Sequence, residues 1–346
     1  MMANNGKSAQ TLGYALIGCG GAGRAHAGWA AETEGVAVRG FCDIHEGAAQ
    51  QLQAQYGVHY ATTDPERVFA DPYVDIVSIA TSHSSHAELA VAALQAGKHL
   101  FLEKPMAMTT ADCLRIHEAM QAAGTKLMLN FSIRFSGAAR AIRQRLATPK
   151  VSHSQCMMSP ADLNRWRWHP VEGGGPLWDV GVHMVDYLCW IHDSAPVEVH
   201  AIGGQVTHPG ELGSPDMIDT AAATIRFAND SVATFLMSDA GSNSVISKWF
   251  FEFFDGQSSA VLYEHFRKVT FSTDDPEEGQ QSETLTPAPI ERLSFLVEAI
   301  QNDTEPYVPP QAGILSTLLV EAITTSIQSG QPQKVDLSVL PAPHPQ

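Results

Sequence analysis

Residues 12–32 read LGYALIGCGGAGRAHAGWAAE. An apolar run, Leu12–Ile17, breaks into glycines and resumes as an alanine-rich segment from Ala22. That is strand, turn and helix in sequence, with Gly18, Gly20 and Gly23 spaced as G-x-G-x-x-G. Gly18 permits the tight turn, Gly20 lets backbone approach a pyrophosphate, and Gly23 lets the helix pack close to the strand. With Gly21 and Ala22 they form the expected cradle, and the helix N-terminus presents free N–H groups and a positive dipole end to an anion.

Glycine turns are common, so the motif needs a second signal. The next apolar run, VAVRGFCD (36–43), ends in Asp43, twenty residues after Gly23. A carboxylate there accepts hydrogen bonds from both adenosine ribose hydroxyls and repels the extra phosphate of NADP. No arginine follows it in DIHEGA, so NAD is expected in preference to NADP.

Outward from this unit the alternation continues. VDIVSIAT (74–81), KHLFLEKP (98–105) and KLMLNF (126–131) read as strands, with SHSSHAELAVAALQAG and TTADCLRIHEAMQAAG as helices between them. Such spacing predicts a doubly wound parallel sheet, an α/β Rossmann domain over residues 1–132. Ligands bind at the carboxyl ends of such strands, which marks Thr81, Ser82, Glu103, Lys104 and Asn130.

Past residue 150 the pattern changes. One helix begins near Asp179, and then VEVHAIGGQV, MIDTAAATIRFA, SVATFLMSD, SKWFFEFFD, SAVLYEH and RKVTFST read as strands separated by turn residues. DDPEEGQQSET reads as an exposed acidic loop, and helices are expected near 288–301 and 311–328. The prediction is an α+β domain over 133–330 with a large, mostly antiparallel open sheet, and a return strand, KVDLS, in a 331–346 tail. An uncovered sheet face predicts self-association as a homodimer or homotetramer.

Bulk properties bound the function. A net charge of −16 argues against nucleic acid or an anionic membrane as partner. The five cysteines are scattered and never spaced C-x-x-C, which argues for a reduced compartment and against a thiolate zinc site. MMANNGKSAQ is unlike a signal peptide and no run is long enough for a membrane span, so the expected location is the cytoplasm.

Residues 173–191, GGGPLWDVGVHMVDYLCWI, place Asp179 and His183 four apart in a helix that otherwise looks apolar. On an α-helix they share a face, which suits either a capping aspartate with a core histidine or a catalytic pair.

Taken together, GCGGAGRAH, Asp43, AGKHLFLEKP and GGGPLWDVGVHMVDYL resemble the Gfo/Idh/MocA oxidoreductases. The resemblance covers nearly the whole chain with its motifs in order. It implies a sugar or cyclitol carbon meeting the nicotinamide beside Lys104, Asp179 and His183, with Arg134 of NFSIRF and His86 also matching family positions. On that reading His183 is the general acid/base, Asp179 orients its ring, and Lys104 stabilises the developing alkoxide. The assignment of Lys104 as the base stays open.

His83 and His86 stand three apart but lack a third ligand, so no metal is expected. In DLNRWRWHP (162–170), Trp166 offers an apolar face to sugar C–H bonds and Arg167 hydrogen bonds to hydroxyls or an acid, with Trp168 and His169 beside them. The expected activity is NAD-dependent oxidation or reduction of a secondary alcohol of a sugar, sugar derivative or cyclitol. Its rivals are an internal redox cycle on retained NAD, giving epimerisation, glycoside cleavage or coupled oxidoreduction, and a non-enzymatic NAD-binding regulator.

Overall fold

The computed structural model describes residues 11–159, 162–241, 247–275 and 279–341; the polar start MMANNGKSAQ lies outside them. Strand β1 (Leu12–Ile17) is buried at every position, as a parallel strand covered on both faces must be. It stands inside a six-stranded parallel sheet ordered β3-β2-β1-β4-β5-β6. The others are β2 (Val36–Cys42), β3 (Tyr60–Thr62), β4 (Ile76–Ile79), β5 (His99–Leu102) and β6 (Leu127–Leu129). Helices α1 (Gly21–Glu32), α2 (Glu46–Tyr56), α3 (Pro65–Phe69), α4 (His86–Gln95) and α5 (Thr110–Ala123) connect them. The strand order reverses at β1 and β4, and the crevice at their carboxyl ends is where such sheets take ligands.

Two glycines are required by close approach. Gly18 sits at φ +93°, and a Cβ there would lie 2.4 Å from the Ala80 carbonyl oxygen. A Cβ on Gly23 would lie 1.8 Å from the Gly18 carbonyl oxygen, so α1 packs on the turn only because the side chain is absent.

The second sheet has nine strands, ordered β14-β13-β12-β11-β7-β10-β9-β8-β15. They are β7 (Val151–Met157), β8 (Pro196–Gly204), β9 (Thr220–Phe227), β10 (Val232–Ser238), β11 (Trp249–Phe254), β12 (Ser258–Tyr263), β13 (Lys268–Asp275), β14 (Gly279–Leu285) and β15 (Gln333–Lys334). Only β7 and β10 pair in parallel; the other pairs are antiparallel. Helices α6 (Gly137–Arg145), α7 (Val182–His192), α8 (Leu293–Asn302) and α9 (Pro310–Ser329) complete the fold. Helix α9 lies on β8 and α7 and also reaches α5 and β6 of the first layer. The opposite face of the second sheet carries exposed Val151, Ile202 and Phe254.

One sequence expectation needs correction. DDPEEGQQSET is not a loop: β13 and β14 pair from Val269↔Leu285 to Asp275↔Gly279, with 276–278 outside the described residues. The polar sequence of β14 suits its edge position, and its Glu283 pairs with Arg145 of α6. The expected return strand is short: Gln333 and Lys334, where KVDLS begins, form β15, which pairs with β8 before a 3₁₀ turn at Leu337–Val339.

No helix among the described residues is long and apolar enough to cross a membrane. All five cysteines are free and buried.

Candidate active site

A cavity of about 850 Å³ opens at the carboxyl ends of β1, β2, β4 and β5, near the upper end of the about 300–1,000 Å³ range of small-molecule sites. Gly18, Gly20, Gly21 and Ala22 form one wall, and Asp43 and His45 stand with them. Thr81, Ser82, Glu103, Lys104, Trp166, Arg167 and Asp179 line the rest. A Cβ added at Gly20 or Gly21 would meet nothing within 4 Å, so the loop leaves open space for a ligand. Asp43 accepts from the Cys19 N–H at 2.7 Å and the His45 N–H at 2.8 Å, which fixes the carboxylate at the cavity edge.

The centre of the site is a salt bridge. Lys104 Nζ donates to both Asp179 Oδ1 and the Asp179 carbonyl, each at 2.7 Å. Arg167 Nε stands 3.5 Å from the other carboxylate oxygen. Burial alone would raise the Asp179 pKa, but the Lys104 and Arg167 charges hold it well below the usual carboxylate range. Lys104 follows β5, and its peptide to Pro105 is cis.

Behind Lys104 lies a polar network. Glu103 Oε1 is 2.8 Å from His26 Nε2, and His26 Nδ1 is 2.7 Å from Ser78 Oγ. The Asn130 amide donates to Glu103, and Arg292 donates to Asn130 Oδ1 at 3.0 Å. Burial works against ionised Glu103, yet the His26 hydrogen bond and the His26 and Lys104 charges hold its pKa far down. The glutamate therefore carries charge beside the lysine.

The comparisons with known proteins match this architecture in both halves. Residues 12–131 match the model described as an oxidoreductase family with an NAD-binding Rossmann fold, and residues 138–245 match the GFO/IDH/MocA C-terminal domain. The chain belongs to the Gfo/Idh/MocA oxidoreductase family. It is 24% identical over 334 residues to myo-inositol 2-dehydrogenase of Thermotoga maritima, covering 93% of this chain and 98% of that one. It is 32% identical over 186 residues to 1,5-anhydro-D-fructose reductase of Ensifer adhaerens, a match spanning about half of each protein, 52% and 55%. The structure of levoglucosan dehydrogenase in complex with NADH has the same fold, with a TM-score of 0.84 at 22% identity over 94% of this chain and 99% of that one.

Within this family fold, several residues expected at the site stand behind it. Gly23 packs against Gly18. His86 is fully buried, its Nδ1 2.7 Å from the Pro105 carbonyl oxygen, so it braces the segment after Lys104 without lining the cavity. Asn130 holds Glu103. Arg134 is not among the cavity's lining residues: its guanidinium makes a bidentate pair with buried Asp186, at 2.9 and 2.6 Å.

His183 also differs from expectation. Asp179 does not hydrogen-bond its ring, and His183 Nδ1 is buried without a hydrogen-bond partner. The cause is local backbone geometry. Leu177–Gly181 is π-helical, with the Val182 N–H on the Leu177 carbonyl, so residues four apart no longer stack as on an α-helix. Asp179 turns to Lys104, while His183 lies edge-on to Phe131 and Trp249. Burial and then the Lys104 charge push its pKa down to about 3, so the ring is neutral near pH 7.

His26, His83, Glu172 and Arg292 were not assigned to the site from sequence. His83 and Glu172 line the cavity. His83 Nδ1 is 2.7 Å from the Gly173 carbonyl oxygen, and its ring meets Trp166 edge-on at 4.9 Å. His26 shares the buried face of α1 with Gly23, Ala27 and Ala30; a polar residue on an otherwise apolar stripe was the available signal. Among the described residues, no group of three or more His, Cys, Asp or Glu is placed to hold a metal ion.

These environments predict a pH dependence of stability. Burial lowers the pKa of His83 and His183 to about 3 and of His192 to about 4. The folded values lie below the unfolded value near 6.5, so their contribution is complete above that pH and is lost as pH falls. Each costs up to about 1.4 kcal/mol per pH unit while the unfolded chain alone binds the proton. Glu103 and Asp179, also held low, act in the same direction below pH ~4. Thermal melts from pH 8 to 4 should show Tm falling from about pH 6.5 downward; a Tm that stays flat to pH 4.5 contradicts these environments.

Proposed function

We propose that this chain is an NAD-dependent dehydrogenase acting on a secondary alcohol of a sugar, sugar derivative or cyclitol. The observation that carries the reading is the Lys104–Asp179 pair in the wall of the glycine-loop cavity. The open glycine wall, the N-terminal amides of α1 and the Asp43 carboxylate fit a dinucleotide. When bound, NAD supplies the hydride acceptor, or the donor in the reverse direction.

The chain's own residues handle the oxygen and its proton. Lys104 donates a hydrogen bond to the reacting oxygen and stabilises the alkoxide character that develops as the C–H bond breaks. Asp179 and Arg167 fix the direction of the ammonium group. Neutral His183 is the assigned acceptor of the hydroxyl proton, with Lys104, which lines the cavity as His183 does not, as the alternative base. Trp166 lends an apolar face to the C–H side of the ring. The names of the relatives support a polyol substrate, and the buried free thiols suit a reducing compartment such as the cytoplasm. The exposed face of the second sheet supports assembly into a homodimer or homotetramer.

NADH formation from a panel of sugars, anhydrosugars, sugar acids and inositols, with NAD and NADP in parallel, tests the reading. No reduced cofactor from any of them sinks it. Asp43→Asn keeps an acceptor for the Cys19 N–H but removes the charge. The ratio of kcat/KM for NAD over NADP should fall by about tenfold; an unchanged ratio means Asp43 does not set the preference.

A further inference from the structure

A second recess of about 380 Å³ is lined by Asp162, Arg165, Arg167, Trp168, Asp179 and Lys248 together with Met158 and Pro176. It shares Arg167 and Asp179 with the larger cavity, so the two spaces meet at the partner of Lys104. The recess therefore adjoins the place where Lys104 meets Asp179.

The charges on its walls are uneven. Arg165 Nε stands 3.2 Å from Asp162 Oδ2, and both are exposed at the rim. Asp179 is taken first by Lys104 at 2.7 Å and only then by Arg167 at 3.5 Å. Half-buried Lys248 makes no ion pair or side-chain hydrogen bond among the described residues. Three cations thus face two carboxylates, one of which is already engaged by a fourth cation outside the recess. This excess stands in a chain whose net charge is −16, so it does not follow from bulk composition. A concave site of one sign focuses its field on a ligand of the other.

We infer that this recess binds a carboxylate at the end of the substrate remote from the reacting carbon, with Lys248 and Arg165 as its partners. The substrate class is then a polyhydroxy acid, a uronate or an aldonate, rather than a neutral sugar. A neutral sugar would bury against Lys248 without supplying the anion that a desolvated ammonium requires. A carboxylate supplies it and also offers two oxygens to the Arg165 fork. Trp168 gives the intervening carbons an apolar wall. The inference rests on the dehydrogenase reading above.

The test compares matched substrates with NAD on the wild-type protein, Lys248→Met and Arg165→Gln: glucuronate against glucose, galacturonate against galactose, gluconate against sorbitol. For at least one pair, wild-type kcat/KM should favour the acid by more than about tenfold. In Lys248→Met that preference should fall by about tenfold, through KM for the acid, with a smaller fall in Arg165→Gln. Because both members of a pair report on the same folded fraction, loss of fold cancels in the ratio. Neutral members turned over as well as or better than acids overturn the inference alone, as does an acid preference that Lys248→Met leaves intact. No turnover of any of the six while an inositol or anhydrosugar is oxidised overturns the inference alone; no turnover across the whole panel with either nicotinamide cofactor overturns the dehydrogenase reading, and this inference with it.

Discussion

Lys104→Met should lower kcat by about 10²–10³-fold, the scale of losing a preorganised donor to a developing oxyanion. Lys104 is the cation whose amine both lines the cavity and is aimed by two oxygens of one residue, the side chain and carbonyl of Asp179. Methionine keeps much of the stem's length and removes the charge. Asp179→Asn should cost less, because the Asp179 carbonyl still receives Lys104 Nζ. Steady-state kinetics on the best polyol separate the roles. A fall in kcat and kcat/KM together means that Lys104 acts in the transition state. A raised KM at unchanged kcat would mean uniform binding, and the proposed role would be wrong.

Arg134→Ala should cost about 3–5 kcal/mol of folding stability, the range for breaking a buried ion pair by removing one partner. Arg134 stands in the 3₁₀ turn Ser132–Phe135 and Asp186 on α7, so their bidentate pair joins the end of the first sheet to the second layer. The guanidinium lies 5.5 Å over the Trp190 ring, and the Tyr307 hydroxyl donates to the Arg134 carbonyl at 3.1 Å. Asp186 is 1% exposed, and burial already raises its pKa against the pull of Arg134. Without the arginine it must be buried as a charge with no partner or take up a proton, and both are unfavourable. The double substitution Arg134→Met with Asp186→Leu should recover part of the loss, since an apolar pair leaves no charge unmatched. Urea unfolding of the three proteins measures this. A single variant as stable as the wild type, with KM raised, would restore Arg134 to the substrate site.

How far the sequence reads depends on whether a residue's neighbours are local. The nucleotide layer was legible because its signals are short-range: an apolar run, a glycine turn and an aspartate at the next strand end. Strand β7, in the middle of the second sheet, was not. β7 buries Ser152, Ser154 and Cys156 and exposes Val151 and His153, so its alternation runs against hydropathy. The reason is tertiary: Ser152 Oγ lies 2.8 Å from His192 Nε2 on α7, a partner forty residues away. Strand β14 hid in the same way, because edge position makes charge and serine acceptable in a strand.

The candidate site divides along the same line. Lys104, Asp179 and Arg167 were named from sequence, and the structure brings them together. The i, i+4 geometry assigned to Asp179 and His183 failed at a π-turn, where the hydrogen-bond register changes without any residue type that announces it. Arg134, placed at the substrate by resemblance alone, is satisfied by Asp186 across fifty-two positions of chain.

The central claim is that a hydride passes from a substrate carbon to the nicotinamide and leaves with it. The direct measurement uses a polyol deuterated at the carbinol carbon, found active in the turnover panel, with mass spectrometry of the cofactor and the sugar afterwards. Reduced NAD carrying the deuterium, formed in step with ketone product, is the expected result, with a slowed rate for the labelled substrate. Deuterium kept in a sugar product, with the cofactor returned oxidised and no net NADH, would contradict it and assign the chain an internal redox cycle.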